Sequence, residues 1–216
     1  MPEQNEQSNP PRFPVRSALA LAGIGLTAAI LLAGLNELTR EPIQQARDER
    51  AAAKLNQVLA PERYNNLIVQ DTTRLRIDGI EQPARVYRAR NDGQPVAAII
   101  DMTTARGYSG DIRLLIALTP TAEVISVRVV EHRETPGLGD KIERRRSDWI
   151  DQFADRSLGN TPRDQWASDK RGGEFDTLTS ATITSTAVID AVARSLASFE
   201  RAGDAIWRTG GGESEL

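Results

Sequence analysis

Apolar and polar positions change rhythm several times along the chain. Residues 17–36, SALALAGIGLTAAILLAGLN, carry no charge. At 1.5 Å per residue such a helix is roughly 30 Å long, the thickness of a bilayer core. The pattern predicts a retained single transmembrane helix, and AILLAGL also leaves room for a cleaved signal peptide. Residues 37–60 have a helical composition with Pro42 at a position suited to a helix start, and predict a charged, solvated stalk. From residue 66 the period shortens. NLIVQD (66–71), ARVYRAR (84–90), PVAAIIDMT (95–103), DIRLLIALT (111–119) and EVISVRVVEH (123–132) predict strands, and Asp78-Gly79 and Asp92-Gly93 predict turns. The last two runs, separated by Pro120-Thr121-Ala122, predict a hairpin or sheet neighbours. KIERRRSDWIDQF (141–153) predicts an amphipathic helix, and 154–173 a loop. Over 186–200 the helical period returns and puts Val188, Val192, Leu196 and Phe199 on one face. Residues 208–216 predict a disordered tail. Strands first and helices at the edges define an α+β domain over 61–207.

Composition narrows the chemistry. The chain has 216 residues, a net charge of −3 and no cysteine. Disulfides, thiolate metal sites, iron–sulfur clusters and thiol nucleophiles are excluded, and no polybasic surface points to nucleic acid. A single histidine, His132, excludes multi-histidine metal sites. It reads as a polar strand end, not as a base. Redox chemistry on such a chain requires a borrowed cofactor. The charges flanking 17–36 are mixed and do not decide orientation.

Three segments carry candidate chemistry. Gly107-Tyr108-Ser109-Gly110 precedes a strong strand and is either a tight turn or a place where backbone approaches a ligand. In HRETPGLGDK (132–141), Pro136, Gly137 and Gly139 shape a loop that is either structural or holds a planar ring against Leu138. It also carries Glu134, Thr135 and Lys141. Between Thr177 and Val188 lie five Thr and two Ser, more hydroxyls than one helix cap uses. A phosphate esterified there would lie in the favourable field of a helix N-terminus, one reading among several.

Taken together, GYSGDIRLLIAL, EHRETPGLGDKIERRRSDWIDQF, GGEFD and DTLTSATITSTAV resemble the G subunit of the Rnf (Rsx) ion-translocating electron transport complex. The same FMN-binding domain occurs in the C subunit of the sodium-pumping NADH:quinone oxidoreductase. The motifs cover about residues 100–200, and an anchor plus stalk fits the same architecture. The resemblance implies an α+β FMN-binding domain with a single N-terminal transmembrane helix. In this family a flavin transferase, using FAD and Mg²⁺, links FMN through its phosphate to the last Thr of D-x-x-[ST]-G-A-T. Here that motif is Asp176-Thr177-Leu178-Thr179-Ser180-Ala181-Thr182, so the bond falls on Thr182. Asp176, Thr179, Ser180 and Ala181 would surround it. The Glu134–Gly139 loop with Lys141, and the Gly107–Gly110 loop, would line the flavin. A flavin relaying single electrons passes through a semiquinone, and nearby cations such as Lys141 or Arg133 are expected to stabilise its anionic form.

The resemblance further implies a bacterial inner-membrane protein, with residues 1–16 cytoplasmic and the domain periplasmic. Its partners would be the bilayer, the other membrane subunits of the complex and the flavin transferase. The role would be to carry electrons between ferredoxin and NAD with ion movement, or to keep a redox-sensing regulator reduced. Two other classes stay open: a flavin-free assembly subunit and a stand-alone periplasmic flavoprotein. Where the family usually has Gly, this chain has Ser180. If the position requires a left-handed backbone, Ser costs about 1–2 kcal/mol there.

Overall fold

The computed structural model describes residues 15–208, with side chains in the first helix given at Leu19, at 21–35, at Ala46 and from Asp48 on. The chain divides into two compact units, one up to Asp48 and one from Glu49. Helix α1 spans Val15–Leu55, so its last turns belong to the second unit. It continues through Pro42 instead of restarting there; the Ala, Leu, Gln, Arg and Glu residues around Pro42 are strong helix formers. Large apolar side chains from Leu19 to Leu35 are 60–70% exposed. Among the described residues, no helix is long and apolar enough to cross a membrane. The 208–216 tail lies outside the described residues apart from Arg208.

The second unit is built on a five-stranded antiparallel meander, β1 (Thr72–Leu75), β2 (Ala84–Asn91), β3 (Gln94–Thr104), β4 (Ile112–Leu118) and β5 (Val124–Glu131). Each strand pairs with its neighbour in sequence, and β4–β5 form the expected adjacent pair. The β2–β3 connection is the Asp92-Gly93 turn, with both residues at positive φ, 50° and 78°. That geometry matches the twist of a two-residue hairpin.

The central strands read as nearly continuous apolar runs because both sheet faces are covered. Alternate residues divide between two cores. One gathers Val86, Ala98, Ile100, Leu114 and Ile116 under helix α2 (Thr182–Ala202) and an aromatic group. The other gathers Tyr87, Ala97, Ile99 and Leu115 beneath Leu55, Val58, Leu59 and Ile68. On α2 the four positions expected to face inward, Val188, Val192, Leu196 and Phe199, are all buried.

Two predicted elements differ. Residues 66–71 are turn, not strand. Asn66 uses its amide as a substitute ladder, donating to Arg88 O at 2.9 Å and accepting from Arg90 N at 2.9 Å. Residues 141–153 form no α-helix but two short 3₁₀ turns, Gly139–Ile142 and Trp149–Phe153. Ser147 explains the interruption. Its hydroxyl donates to Lys141 O (2.9 Å) and accepts from Trp149 N (3.1 Å), competing with helical bonding. The apolar residues of the segment are still buried: Phe153 packs 5.1 Å from Phe175 and 6.3 Å from Trp166, centroid to centroid.

The C-terminal segment closes over β2. Arg88, 7% exposed at its side chain, pairs with Asp71 at 2.6 Å. Its Nη1 donates to Ile206 O (3.2 Å) and Arg208 O (2.6 Å). Arg90 pairs with the second Asp71 oxygen at 2.8 Å and donates to Trp207 O at 2.7 Å. The guanidinium groups of one strand thus hold three consecutive carbonyls of the tail.

Candidate functional site

The three candidate segments meet at one side chain. Glu134, 5% exposed, accepts from Ser109 N at 3.1 Å with Oε1 and from Thr184 Oγ1 at 2.5 Å with Oε2. The Gly107–Gly110 loop, the Glu134–Gly139 loop and the start of α2 are therefore tied together. Two glycines make room for this carboxylate. A Cβ on Gly107 would lie 2.7 Å from Glu134 Oε1 and one on Gly139 2.8 Å from Oε2. A side chain at Gly139 would displace this carboxylate, and one at Gly107 would meet Gly110 O even sooner, at 2.3 Å.

The 132–141 loop is braced from both ends. Thr135 O accepts from Leu138 N (3.2 Å), Gly139 N (3.0 Å) and Asp140 N (3.4 Å), and Asp140 Oδ1 accepts from Gly137 N at 2.8 Å. Thr135 itself is exposed, and Leu138 is left 44% exposed. His132 is a brace, not a base. Its Nδ1 accepts from Glu134 N at 3.0 Å, which puts the ring proton on Nε2, facing Glu143 Oε1 at 2.8 Å. The Arg145 guanidinium holds the Glu143 carboxyl down at about 2, with His132 adding to the effect and burial opposing it.

The Asp176–Thr182 segment is an exposed loop ending in a buried step. Asp176 is fixed through its backbone: its O accepts from Trp149 Nε1 (2.7 Å) and its N donates to Gln152 Oε1 (2.8 Å). Ser185 clamps the rest, accepting from Leu178 N (3.1 Å) and donating to Ala181 O (2.9 Å). Thr179 and Ser180 face solvent, and Ala181 is 8% exposed. Among the described residues, the non-glycine residues at positive φ are Asp92, Ala122 and Asp155. Ser180 is not among them, so the left-handed penalty expected from the missing glycine does not arise at this position.

Thr182 opens α2, four residues earlier than the sequence periodicity placed the helix start. The N-cap, Ala181, has no capping side chain, and the first turn has no acidic residue. The terminal N–H groups and the helix dipole are thus left for an external anion. Lys170 Nζ donates to Thr182 Oγ1 at 3.1 Å. Lys170 is itself positioned by Asp169, whose Oδ1 accepts from Lys170 N (2.8 Å) and from the Thr177 hydroxyl. Those bonds lower the Asp169 pKa, the Thr177 hydrogen bond most.

Lys170 went unnoticed in the sequence because it sits in a polar stretch that reads as plain loop. The available signal was Gly172-Gly173. Gly172 is left-handed (φ 79°), and a Cβ on Gly173 would fall 2.1 Å from Ala167 O. A backbone pinched this tightly marks a shaped loop. Lys141, the cation expected near the flavin, is exposed and lines a cavity of about 380 Å³ with Leu138, Trp149, Asp176, Thr179 and Ser180. The Gly107–Gly110 loop reaches the group through Glu134 and does not line this cavity. Its Tyr108 is 69% exposed.

An uncapped helix start with a bare hydroxyl and a cation beside it, next to exposed apolar side chains, suits a phosphate-bearing ring cofactor. The class is that of a flavin-binding domain: the family model described as FMN-binding domain matches residues 107–197, and FMN is the cofactor of this domain. The relatives are specific. The chain is 43% identical over 183 residues to the G subunit of the ion-translocating oxidoreductase complex of Salmonella typhimurium, covering 79% of this chain and 86% of that one. With the protein of the same name from Escherichia coli K12 it shares 44% over 179 residues, 82% of this chain and 84% of that one. The chain belongs to this family, the G subunits of ion-translocating oxidoreductase complexes. The solved structure of Shewanella oneidensis NqrC is similar at a TM-score of 0.45 and 20% identity, covering 69% of each chain.

Proposed function

We propose that this protein carries FMN as a phosphodiester on Thr182 and passes electrons through it within a membrane-bound complex. The observation carrying this reading is the Thr182 hydroxyl, half-buried at an uncapped helix start and 3.1 Å from Lys170 Nζ. A phosphate there would gain the helix N–H groups and a fixed ammonium. FMN supplies the redox chemistry once bound. The chain's own residues bind and orient it. Asp176, Thr177 and Ser185 hold the loop that presents Thr182. Glu134 sets the two loops against the helix. Leu138, Tyr108 and Ile183 offer exposed apolar surface, at 44, 69 and 55%, for an isoalloxazine ring. Thr179, Ser180 and Lys141 line the same cavity as Leu138.

In this reading a flavin transferase makes the bond. Residues 17–36 anchor the chain in the inner membrane, 37–60 form the stalk, and the 61–207 domain faces the periplasm among the other subunits of the complex. Electrons move between ferredoxin and NAD coupled to ion transport, or toward a redox-sensing regulator. The resemblance of the motifs and the name shared by the relatives support these assignments, as does the uncharged length of 17–36.

The test is peptide mass spectrometry after coexpression with a flavin transferase. Trypsin releases 172–194, which should carry the added mass of FMN in wild type and none in Thr182→Ala. Added mass on Thr184 or Ser185 would move the site. No added mass on wild type would leave the flavin-free assembly subunit as the reading that survives.

A further inference from the structure

Strand β5 is the last strand of the sheet, so one of its long edges has no neighbouring strand. That edge is paired at its beginning. Val124 N donates to Arg156 O and Val124 O accepts from Asp155 N, both at 2.8 Å. Among the described residues these are the backbone bonds β5 makes outside the sheet. Further along, Val127 O accepts from the Arg128 guanidinium at 2.7 Å, and Val129 and Val130 are half-buried. Every second residue of a strand turns its N–H and C=O toward the edge, and an edge left open is a template for another strand.

The open end of β5 borders a cavity of about 780 Å³, whose lining includes Lys54, Arg128, Val129, Val130, Arg144 and Arg145. Four cations meet two carboxylates there. Arg128 and Arg144 share Asp151, at 3.1 and 2.5 Å, and Arg145 pairs with Glu143. Lys54 has no carboxylate partner among the described residues. The groove is therefore positive on balance.

These features discriminate between occupants. Antiparallel pairing of two β5 edges would gather the arginines of both copies, and like charges across strands repel. An anionic headgroup would use the cations and leave the strand edge unfilled. An extended segment with acidic side chains uses both.

We propose that the end of β5 is a docking edge, where an extended acidic segment of a partner protein adds a sixth strand to the sheet. Backbone pairing along residues 127–131 holds the segment, and Lys54, Arg144 and Arg145 select its carboxylates. The chain belongs to a family of complex subunits, so other subunits can supply it. The proposal is independent of where the flavin is attached.

The test compares amide hydrogen exchange of the full chain alone in detergent with the same chain in the complex purified from membranes. Amides of 127–131 should exchange at least about tenfold more slowly in the complex. Lys54→Glu combined with Arg144→Glu, both at exposed side chains, should remove most of that protection. Exchange in β2 to β4 and the flavin content should stay as in wild type, and Lys54→Arg with Arg144→Lys should keep the protection. Equal exchange in the two states, or protection that survives charge reversal, would overturn the proposal. Protection that grows with concentration of the isolated chain would give the edge to a second copy instead. Protection of the isolated chain in phosphatidylglycerol vesicles would give it to lipid, and either result also overturns the assignment.

Discussion

The two ends of α2 are built on opposite principles. Beyond its C-terminus, the tail carbonyls of Ile206, Trp207 and Arg208 are held by Arg88 and Arg90, which share Asp71, and Trp207 meets Phe199 edge to face at 6.2 Å. At its N-terminus the cap is missing, the Thr182 hydroxyl stands beside an ammonium, and the Thr186 hydroxyl has no partner among the described residues. At the C-terminal end the tail carbonyls are satisfied from within the chain, and the Ser198 hydroxyl is the polar group there without a partner. The N-terminal end leaves its N–H groups for something the chain does not contain. Unsatisfied polar groups in an otherwise well-paired domain are where an external ligand is expected to supply the missing half.

Damage at the satisfied end should be the most severe. Arg88→Ala removes one of the two guanidinium partners of Asp71 and leaves the Ile206 and Arg208 carbonyls without their donor, and should destabilise the domain by about 3–5 kcal/mol. A lowered urea midpoint with an unchanged slope checks it. Thr182→Ala, by contrast, should shift that midpoint by less than about 1 kcal/mol, since its one partner is an exposed lysine. Equal losses in the two variants would end the distinction between the ends.

Glu134→Ala comes next. It leaves Ser109 N–H and the Thr184 hydroxyl without their acceptor, so a loss of about 2–3 kcal/mol is expected. Faster amide exchange at Ser109 and Thr184 is the specific readout, and Glu134→Gln should recover part of both. Unchanged exchange would mean that the two loops hold their positions without the carboxylate.

A smaller effect concerns acid. Glu143 titrates at about 2 in the folded chain against an ordinary 4.5. Its contribution is therefore complete above pH 4.5 and disappears as pH falls from there through 2. Arg145, its main partner, is 75% exposed, so solvent screening keeps the contribution under about 1 kcal/mol. Glu143→Gln should flatten the stability profile in that window, and high salt should do the same to wild type. A profile that keeps its slope in the variant would assign the acid response to another carboxylate. Smallest of all is Ser180→Gly: with no positive φ to relieve, stability and flavin-to-protein ratio should match wild type. A rise in flavin content would point to a requirement of the transferase, not of this backbone.

Much of the scaffold was legible in the sequence. Strands β2 to β5 follow from apolar runs bounded by turn residues, and the buried face of α2 from its 3.6-residue period. The segment 141–153 misled because its burial pattern is helical while Ser147 and Asp148 break the backbone, and a burial pattern does not report hydrogen-bond competition. At the candidate site, motif resemblance proposed the residue positions, Gly107 and Gly139 among them, and the structure adds what their missing side chains would meet. Their purpose was hidden, since it depends on Glu134 reaching between two loops and a helix across 50 residues of chain. Lys170 lay deeper still. Nothing local distinguishes a lysine that meets a threonine twelve residues away.

The clasp on Arg88 also imposes an order in time. Every strand of the meander pairs with the one made just before it, so the sheet can assemble hairpin by hairpin as the chain emerges. Arg88 cannot complete its coordination in that way, because two of its acceptors arrive 118 and 120 residues later. Until Arg208 is synthesised, β2 carries a guanidinium with unfilled donors beside the core. A chain cut short before that point can keep its strand pairing, and it lacks the contact that ties β2 to the far end of the sequence.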